Sequence, residues 1–490
     1  MKKAVSRLTY GESVFEIGEE DLGDLKPAGD ESRETAGIIG QPRAMQVLRM
    51  GAGISAPGYN VFVSGPPGTG RHTAVRRVLE EKAEPLWPRK DIALVYNFTK
   101  PENPRVIFFP PGRAKEFKAD LHGLVENLKR NIPSSLESGN YIDRRDGLFE
   151  VIEGEENRLL RGFEKRIAEE GFHLAYLDDE SGGAMEIVPG YRGKPTSFDV
   201  LQGKLLSGEI EEEEWKEIRT RYNLFVDELK ELYRELREAR NTLEDELEAL
   251  RLETVMPVIS AEISLLKDRY SETAAEGYLD GLQEDLSANL YLFTLDRELF
   301  DEAGNPRFIR YGVNILEDGS EGPSVPVVWE NDPGAAILHD APPAPGEQPG
   351  ESRMSFLRIR AGSLLEAAGG FLVLPAEELL RDEESMNLLK RFLRSGKMEI
   401  RTSRIEPEPI PIDVRIIVIG SDEQYETLLR KAPDFVRHFK LHAVFTDSMP
   451  RTPEAMEHYA AFVRARAAEN PFPEMDASGI CAVLEYGARL

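Results

Sequence analysis

The sequence predicts an α/β fold, a parallel sheet flanked by helices, interrupted by a long helical insertion and followed by further helices. Three observations predict it. Short apolar runs bounded by glycine or proline alternate with helical stretches on both sides of the chain's centre, the pattern of a sheet covered on both faces. A glycine-rich turn joins one of those runs directly to a helix. Between residues 114 and 302 the strand pattern gives way to heavily charged sequence of helical period. A chain of 490 residues also exceeds one compact core, at roughly 100–200 residues per domain. The expected division is 1–113, an N-terminal segment with the first part of the α/β core; 114–302, a helical arm with a small hairpin unit; 303–450, the second part of the core; and 451–490, the start of a helical lid.

The elements follow in order. Gly58–Gly65 reads as a buried strand bounded by glycines, and a helix follows over Thr73–Ala83. Ile92–Phe98 and Arg105–Phe109 read as further strands of the core. Arg144–Glu170 is helical, with Gly171 as its stop, and Phe172–Val200 carries the Gly and Pro punctuation of a hairpin. In Glu211–Arg251 the apolar residues Trp215, Ile218, Tyr222, Phe225, Leu229, Leu232, Leu236, Ala239 and Leu243 alternate in steps of three and four, a heptad seam of coiled-coil type. Leu247 then falls four residues on, a stutter, and Pro257 is expected to end the run. Ser207-Gly208 reads as its N-cap. Strands resume at Val313, around Val327, at Phe371 and over Val414–Gly420. Ala341–Ser352 reads as a flexible Pro/Gly-rich loop. Helices over Pro453–Ala468 and Ala477–Leu490 complete the pattern.

Composition excludes several classes of function. A net charge of −27 with no long basic run argues against nucleic acid as a partner. The lone Cys481 rules out an internal disulfide framework and a multi-cysteine zinc site. The seven histidines show no metal-ligand spacing, so no metal site is assigned. No apolar window approaches the ~18 residues of a membrane span, and the start lacks a secretory apolar stretch. The expectation is a soluble, cytoplasmic protein.

The motif with most chemical content is Gly65-Pro66-Pro67-Gly68-Thr69-Gly70-Arg71-His72-Thr73. Strand, glycine loop and helix occur in the order that curls backbone N–H groups around phosphates. The two residues that would do the chemistry are altered. Arg71 stands where lysine is required, keeping the charge but widening it into a planar fork. His72 stands where a Ser or Thr oxygen would meet Mg²⁺, and imidazole is a poor ligand for so hard a cation. Thr73 comes one place late. At the end of the Phe371–Leu374 strand, where an acidic pair should hold metal and activate water, Pro375 and Ala376 intervene. Glu377 is the nearest acid, more simply read as charge at a helix start. Trp329 after its apolar strand reads as core.

These residues carry a family resemblance. Ile38-Ile39-Gly40-Gln41-Pro42-Arg43-Ala44, the Gly58-Tyr59-Asn60 before the loop, Val95-Tyr96-Asn97-Phe98, Ala361–Leu365 with Ala368–Leu372, Asp434-Phe435 with Phe439-Lys440, and Asp447–Pro453 are similar to the ATPase portion of Lon-like proteases, over essentially the whole chain. The resemblance implies an AAA+-type fold, a homo-oligomeric ring, usually a hexamer, and unfolded polypeptide as substrate. It also implies a Ser–Lys dyad in a protease domain beyond Leu490, so no catalytic residue is assigned here. For an intact loop it implies ATP or ADP with Mg²⁺; with the loop altered, no cofactor is assigned. The arginine expected before Phe439 is replaced by His438, with Arg437 one place early. The axial loop, similar to Asp332–Leu338, lacks its aromatic and leaves Ile337 and Leu338 as substrate contacts. Such losses resemble the ATP-independent, C-type Lon-like proteases. The reading is a substrate-gating module without ATP hydrolysis; the alternatives are an ATP-driven unfoldase using Arg71, Thr73 and Glu377, and a non-enzymatic coiled-coil scaffold.

Overall fold

The computed structural model describes residues 17–18, 38–82, 84–177, 184–294, 306–322, 325–334, 356–357, 359–399, 407–469 and 475–489. Ile337, Leu338 and the loop expected over Ala341–Ser352 lie outside these residues. The chain divides into two compact units: Met1–His122 with Ser271–Tyr278 and Phe308–Leu490, and Gly123–Tyr270 with Leu279–Arg307.

The first unit is built on five parallel strands: β1 (Val61–Ser64), β2 (Val327–Trp329), β3 (Phe371–Pro375), β4 (Arg415–Ile419) and β5 (Leu441–Val444). They lie in the order β5-β1-β4-β3-β2, an AAA+-like arrangement. Val61 pairs with both Ile417 and Leu441, and Val373 with Ile417 and Trp329. Alternate residues serve opposite faces. Phe62, Leu372, Leu374, Ile416 and Val418 pack with the helices Ala376–Arg381 and Glu383–Ser395, while Val61, Val63, Phe371, Val373, Ile417 and Ile419 pack with Pro42–Gly53 and Arg71–Glu80. Burial on both faces explains why these strands read as unbroken apolar runs. Each such side chain contributes roughly 1.5–3 kcal/mol. Buried Asn60 ties the near end of the sheet together, donating to the His438 carbonyl (2.9 Å) and accepting from the Ile416 amide (2.9 Å).

Two expected core strands are not in that sheet. Asp91–Val95 and Arg105–Phe109 pair antiparallel with each other, and Asp91–Val95 pairs antiparallel with Val313–Glu317 on its other side. The reason is length, since Tyr96–Pro104 is shorter than the dozen or so residues a parallel crossover needs. Asn97 closes this turn, donating to Asn103 O and accepting from the Thr99 and Lys100 amides. At the other end Glu317 accepts from Arg89 (2.7 Å) in a mostly buried pair. Burial pushes the Glu317 carboxyl up to about 7, against the pull of Arg89. From its ordinary value of 4.5 up to that value the native state holds a proton the unfolded chain has lost, so this group's contribution falls as pH rises through that window. Glu317→Gln should match the parent's melting temperature near pH 4.5 and exceed it by pH 8. A constant difference between the two across a pH series would refute this.

In the second unit, helices Gly139–Glu169 and Glu212–Arg269 pack along one another. The ion pairs Arg144–Glu253, Arg240–Glu156, Arg166–Glu228 and Arg221–Glu170 advance on one helix as they retreat on the other, so the two run antiparallel. The seam residues are all turned inward: Phe225, Leu229, Leu232 and Leu236 are buried with Phe163, Ile167, Phe172 and Ile187, and the others are half-buried. Pro257 does not end the helix, contrary to the sequence expectation. A mid-helix proline costs about 3 kcal/mol. Burial of Val255, Ile259, Ile263 and Leu266 beside it, each worth roughly 1.5–3 kcal/mol, outweighs that cost. Ser207 is likewise corrected: it closes the preceding helix Phe198–Leu206, and Glu211 takes the N-cap position of the long helix. Phe172–Leu177 and Ala184–Tyr191 form the expected hairpin.

Candidate phosphate-loop site

The loop Gly65–Gly70 leaves the C-terminal end of β1, the edge of a parallel sheet where ligands are usually held. Its three glycines all take positive φ: 143° at Gly65, 87° at Gly68 and 84° at Gly70. At Gly65 the requirement is also spatial, because a Cβ there would stand 2.5 Å from the Phe445 carbonyl oxygen. Before Gly68 and Gly70 the space is open. Thr69 Oγ1 closes the turn on Pro66 O (2.9 Å), and the helix Arg71–Glu80 begins with no acidic residue in its first turn. The backbone frame of a phosphate cradle is therefore present.

Two side chains on that frame meet protein groups. Arg71 is half-buried and donates from Nη1 to the carbonyl of Gly420, just past the end of β4. Burial lowers its pKa, with the charge of Asp422 opposing. His72 stacks on Trp329 at the end of β2, with ring centroids 6.4 Å apart and 28° between planes, and Arg76 lies 5.5 Å from the same indole. Trp329 is thus half-buried and braced by the loop's helix. His72 remains exposed on one side, and partial desolvation, then the Arg71 and Arg76 charges, hold its imidazole below its ordinary pKa, so at neutral pH it is an uncharged ring. Thr73 is exposed on the first turn.

The end of β3 offers no metal ligand toward the loop. Ala376 is buried, and its Cβ lies only 2.6 Å from where a Cβ on Gly420 would stand, so the position is filled by close apolar contact. Glu377 is exposed and accepts from Arg381 (2.9 Å), which also holds Glu378 (2.7 Å). Gly65, Gly68, Gly70, Arg71, His72 and Thr73 are brought together, and Glu377 is turned to its own helix. These residues do not fit a Mg²⁺-bound nucleotide. The imidazole lies against an indole, the guanidinium on a carbonyl and the carboxylate on an arginine, so none of these three is set to hold the cation.

Of the other polar groups of this unit, the Ser64–His442 and Glu330–Ser363 contacts were not legible in the sequence. Ser64 is fully buried and shares a 2.8 Å hydrogen bond with His442 Nε2, whose ring stacks on Tyr425 at 4.0 Å. Burial lowers the pKa of His442, and Asp422 opposes this. Their link is a strand register, Ser64 and His442 lying on adjacent strands, which spacing along the chain does not reveal. Glu330 accepts from Ser363 Oγ (2.6 Å) and the Asp332 amide (3.0 Å), and Pro333 O accepts from Ser385 Oγ. These contacts fix the start of the segment that continues to Ile337 and Leu338. His438 ends the short helix Phe435–His438 beside exposed Arg437. Burial lowers its pKa, with Asp434 opposing and Arg394, Arg437 and Lys440 adding to the lowering.

Residues 323–446, which contain β2 to β5, match the family model described as LonB-like, AAA domain. Residues 91–124 match the Lon-like LonC helical domain. No curated protein matches the sequence. Among solved structures, NtrX from Brucella abortus is similar at 20% identity and a TM-score of 0.23, over 33% of this chain and 36% of that one. NtrX in complex with ATP gives 21% and 0.21 over the same shares. The chain thus spans about a third of the NtrX chains it matches, a likeness too slight to bear on fold or function. Two separate stretches of the chain, one in the parallel sheet and one around the antiparallel sheet, support a Lon-like family.

Proposed function

We propose that this chain is the AAA+-like, substrate-gating part of a Lon-like serine endopeptidase of the ATP-independent, C-type kind. In this reading it acts in a homo-oligomeric ring, a hexamer, on unfolded polypeptide in the cytoplasm. The observation that carries the reading is Arg71: the cation that should meet a phosphate is spent on the Gly420 carbonyl, and His72 beside it is stacked on Trp329. Both groups would have to abandon protein partners before a nucleotide could use them. The match to the LonC helical domain supports the subtype. The segment anchored by Glu330 and Pro333 and running on to Ile337 and Leu338 would contact extended chain, and the antiparallel helix pair would stand at the entrance. Peptide cleavage belongs to the Ser–Lys dyad of a protease domain, and none of residues 1–490 is assigned to it. Among the described residues no helix is long and apolar enough to cross a membrane.

The test is a titration of the assembled protein with Mg²⁺-ATP, following binding and phosphate release together, alongside binding of a permanently unfolded casein-type chain. The expected result is no phosphate release with retained binding of the unfolded chain. Steady release would replace this reading with an ATP-driven unfoldase, in which exposed Thr73 and the open space before Gly68 and Gly70 serve the nucleotide. Neither release nor polypeptide binding would leave a scaffold.

A further inference from the structure

The loop leaves β1 beside the end of β4, on the side of a parallel sheet where ligands are usually held. Protein groups occupy that end of the sheet. The Gly420 amide donates to Val63 O (2.9 Å), the last rung of the β1–β4 ladder. From the loop's helix, Arg71 returns the tie in the other direction by donating to Gly420 O. From β2, Trp329 receives the His72 ring and the Arg76 guanidinium. Gly420 is thus held through both its amide and its carbonyl.

The acceptor is itself rigid. Gly420 is buried, and a Cβ there would meet Ala376 at 2.6 Å, Gln424 Oε1 at 2.8 Å and Phe62 at 3.1 Å, so no side chain fits at this position. Immediately after it Ser421 and Gln424 form a capping box, with the Ser421 amide donating to Gln424 Oε1 (2.9 Å) and the Gln424 amide to Ser421 Oγ (3.2 Å). Asp422 opens the same helix and holds negative charge near the guanidinium. A planar fork at position 71 suits this task. Its terminal nitrogens lie further from the backbone than a lysine ammonium and point in fixed directions.

We propose that Arg71 is an internal pin: by bridging the loop to Gly420 it holds loop, β1 and β4 in the arrangement that a phosphate-bearing ligand would otherwise hold. The proposal deepens the nucleotide-independent reading above and rests on it. It turns the altered loop from a lost site into a device with a present role, holding loop and sheet together in the absence of ligand. It also accounts for the pairing of changes: the fork serves the carbonyl, and the stacked imidazole fixes the first turn from which the fork is launched.

The experiment is amide hydrogen exchange of the intact chain, read at the Gly420 amide and across residues 68–74, for the parent protein, Arg71→Ala and Arg71→Lys, each with and without Mg²⁺-ATP, with phosphate release measured on the same samples. The parent should show the same protection in both conditions. Arg71→Ala should exchange about tenfold faster at Gly420 and the loop, as loss of a charge-assisted hydrogen bond implies. Arg71→Lys, which keeps the charge and the fold but loses the fork, should fall between. Unchanged exchange in both variants without phosphate release overturns the pin and leaves the nucleotide-independent reading standing. Phosphate release by the parent, with protection that rises on adding Mg²⁺-ATP, overturns both.

Discussion

Replacing Asp91 by alanine should lower the stability of the first unit by about 3–5 kcal/mol, among the largest single losses available in this chain. Asp91 is completely buried, and its carboxylate accepts from three backbone amides: Gly112 (3.1 Å) and Gly319 (2.8 Å) on one oxygen, Ala114 (2.8 Å) on the other. Two of these donors stand at the start of the helix Arg113–Leu136, whose first amides have no intrahelical partner and whose dipole favours negative charge. The third begins the turn after Glu317, so one side chain joins a strand, a helix start and a loop. Alanine would leave three buried N–H groups without acceptors. Asparagine keeps the shape but presents NH₂ toward one donor side, and should lose an intermediate amount. Urea unfolding followed by tryptophan fluorescence at Trp87 and Trp329 measures both. A loss under about 1 kcal/mol in the alanine variant would show that the carboxylate is replaceable by water.

Arg415→Met should lose about 3 kcal/mol by the same measurement. Arg415 opens β4, 1% exposed, and its guanidinium donates to Ile54 O and Ala56 O (3.3 Å) with the Trp87 ring 5.5 Å away. Burial pushes its pKa down to about 10, which still leaves it charged at neutral pH. The carbonyls it meets lie just past the C-terminus of helix Pro42–Gly53, the negative end of that dipole. Methionine fills similar volume, so the expected loss reports the stranded carbonyls rather than a cavity. Arg415→Lys should recover part of it. Equal stability of the methionine variant would mean that desolvating the guanidinium costs as much as its bonds return.

The parallel sheet was legible because burial on both faces writes itself as unbroken apolar runs, and the phosphate loop because left-handed backbone demands glycine at Gly68 and Gly70. The helix seam was legible through its spacing. What escaped lay in contacts between distant parts of the chain. The antiparallel pairing of Asp91–Val95 was in principle visible in the shortness of Tyr96–Pro104, yet an α/β pattern on either side obscured it. Pro257 misled because local cost was weighed without the burial that outweighs it. At the site, the residue types at positions 71 and 72 were read as losses of phosphate and metal chemistry. That they hold Gly420 and Trp329 depends on neighbours hundreds of positions away, for which no local periodicity exists.

The order of strands has a consequence for how the protein is made. β1 lies between β4 and β5, so its partners Ile417 and Leu441 are translated more than 350 positions after Val61. At about 5–20 residues per second, the ribosome needs on the order of 20–80 s to deliver them. Throughout that interval Val61, Phe62 and Val63 have both strand edges unpaired, while the helical unit encoded in between is completed by residue 307, about 110 positions before Ile417, and can fold from nearby contacts. The nascent chain therefore carries an adhesive apolar strand ahead of a folded body for much of its synthesis. A trigger-type holdase covering residues 58–65 during that time would raise the yield of this protein more than that of a chain whose sheet is contiguous.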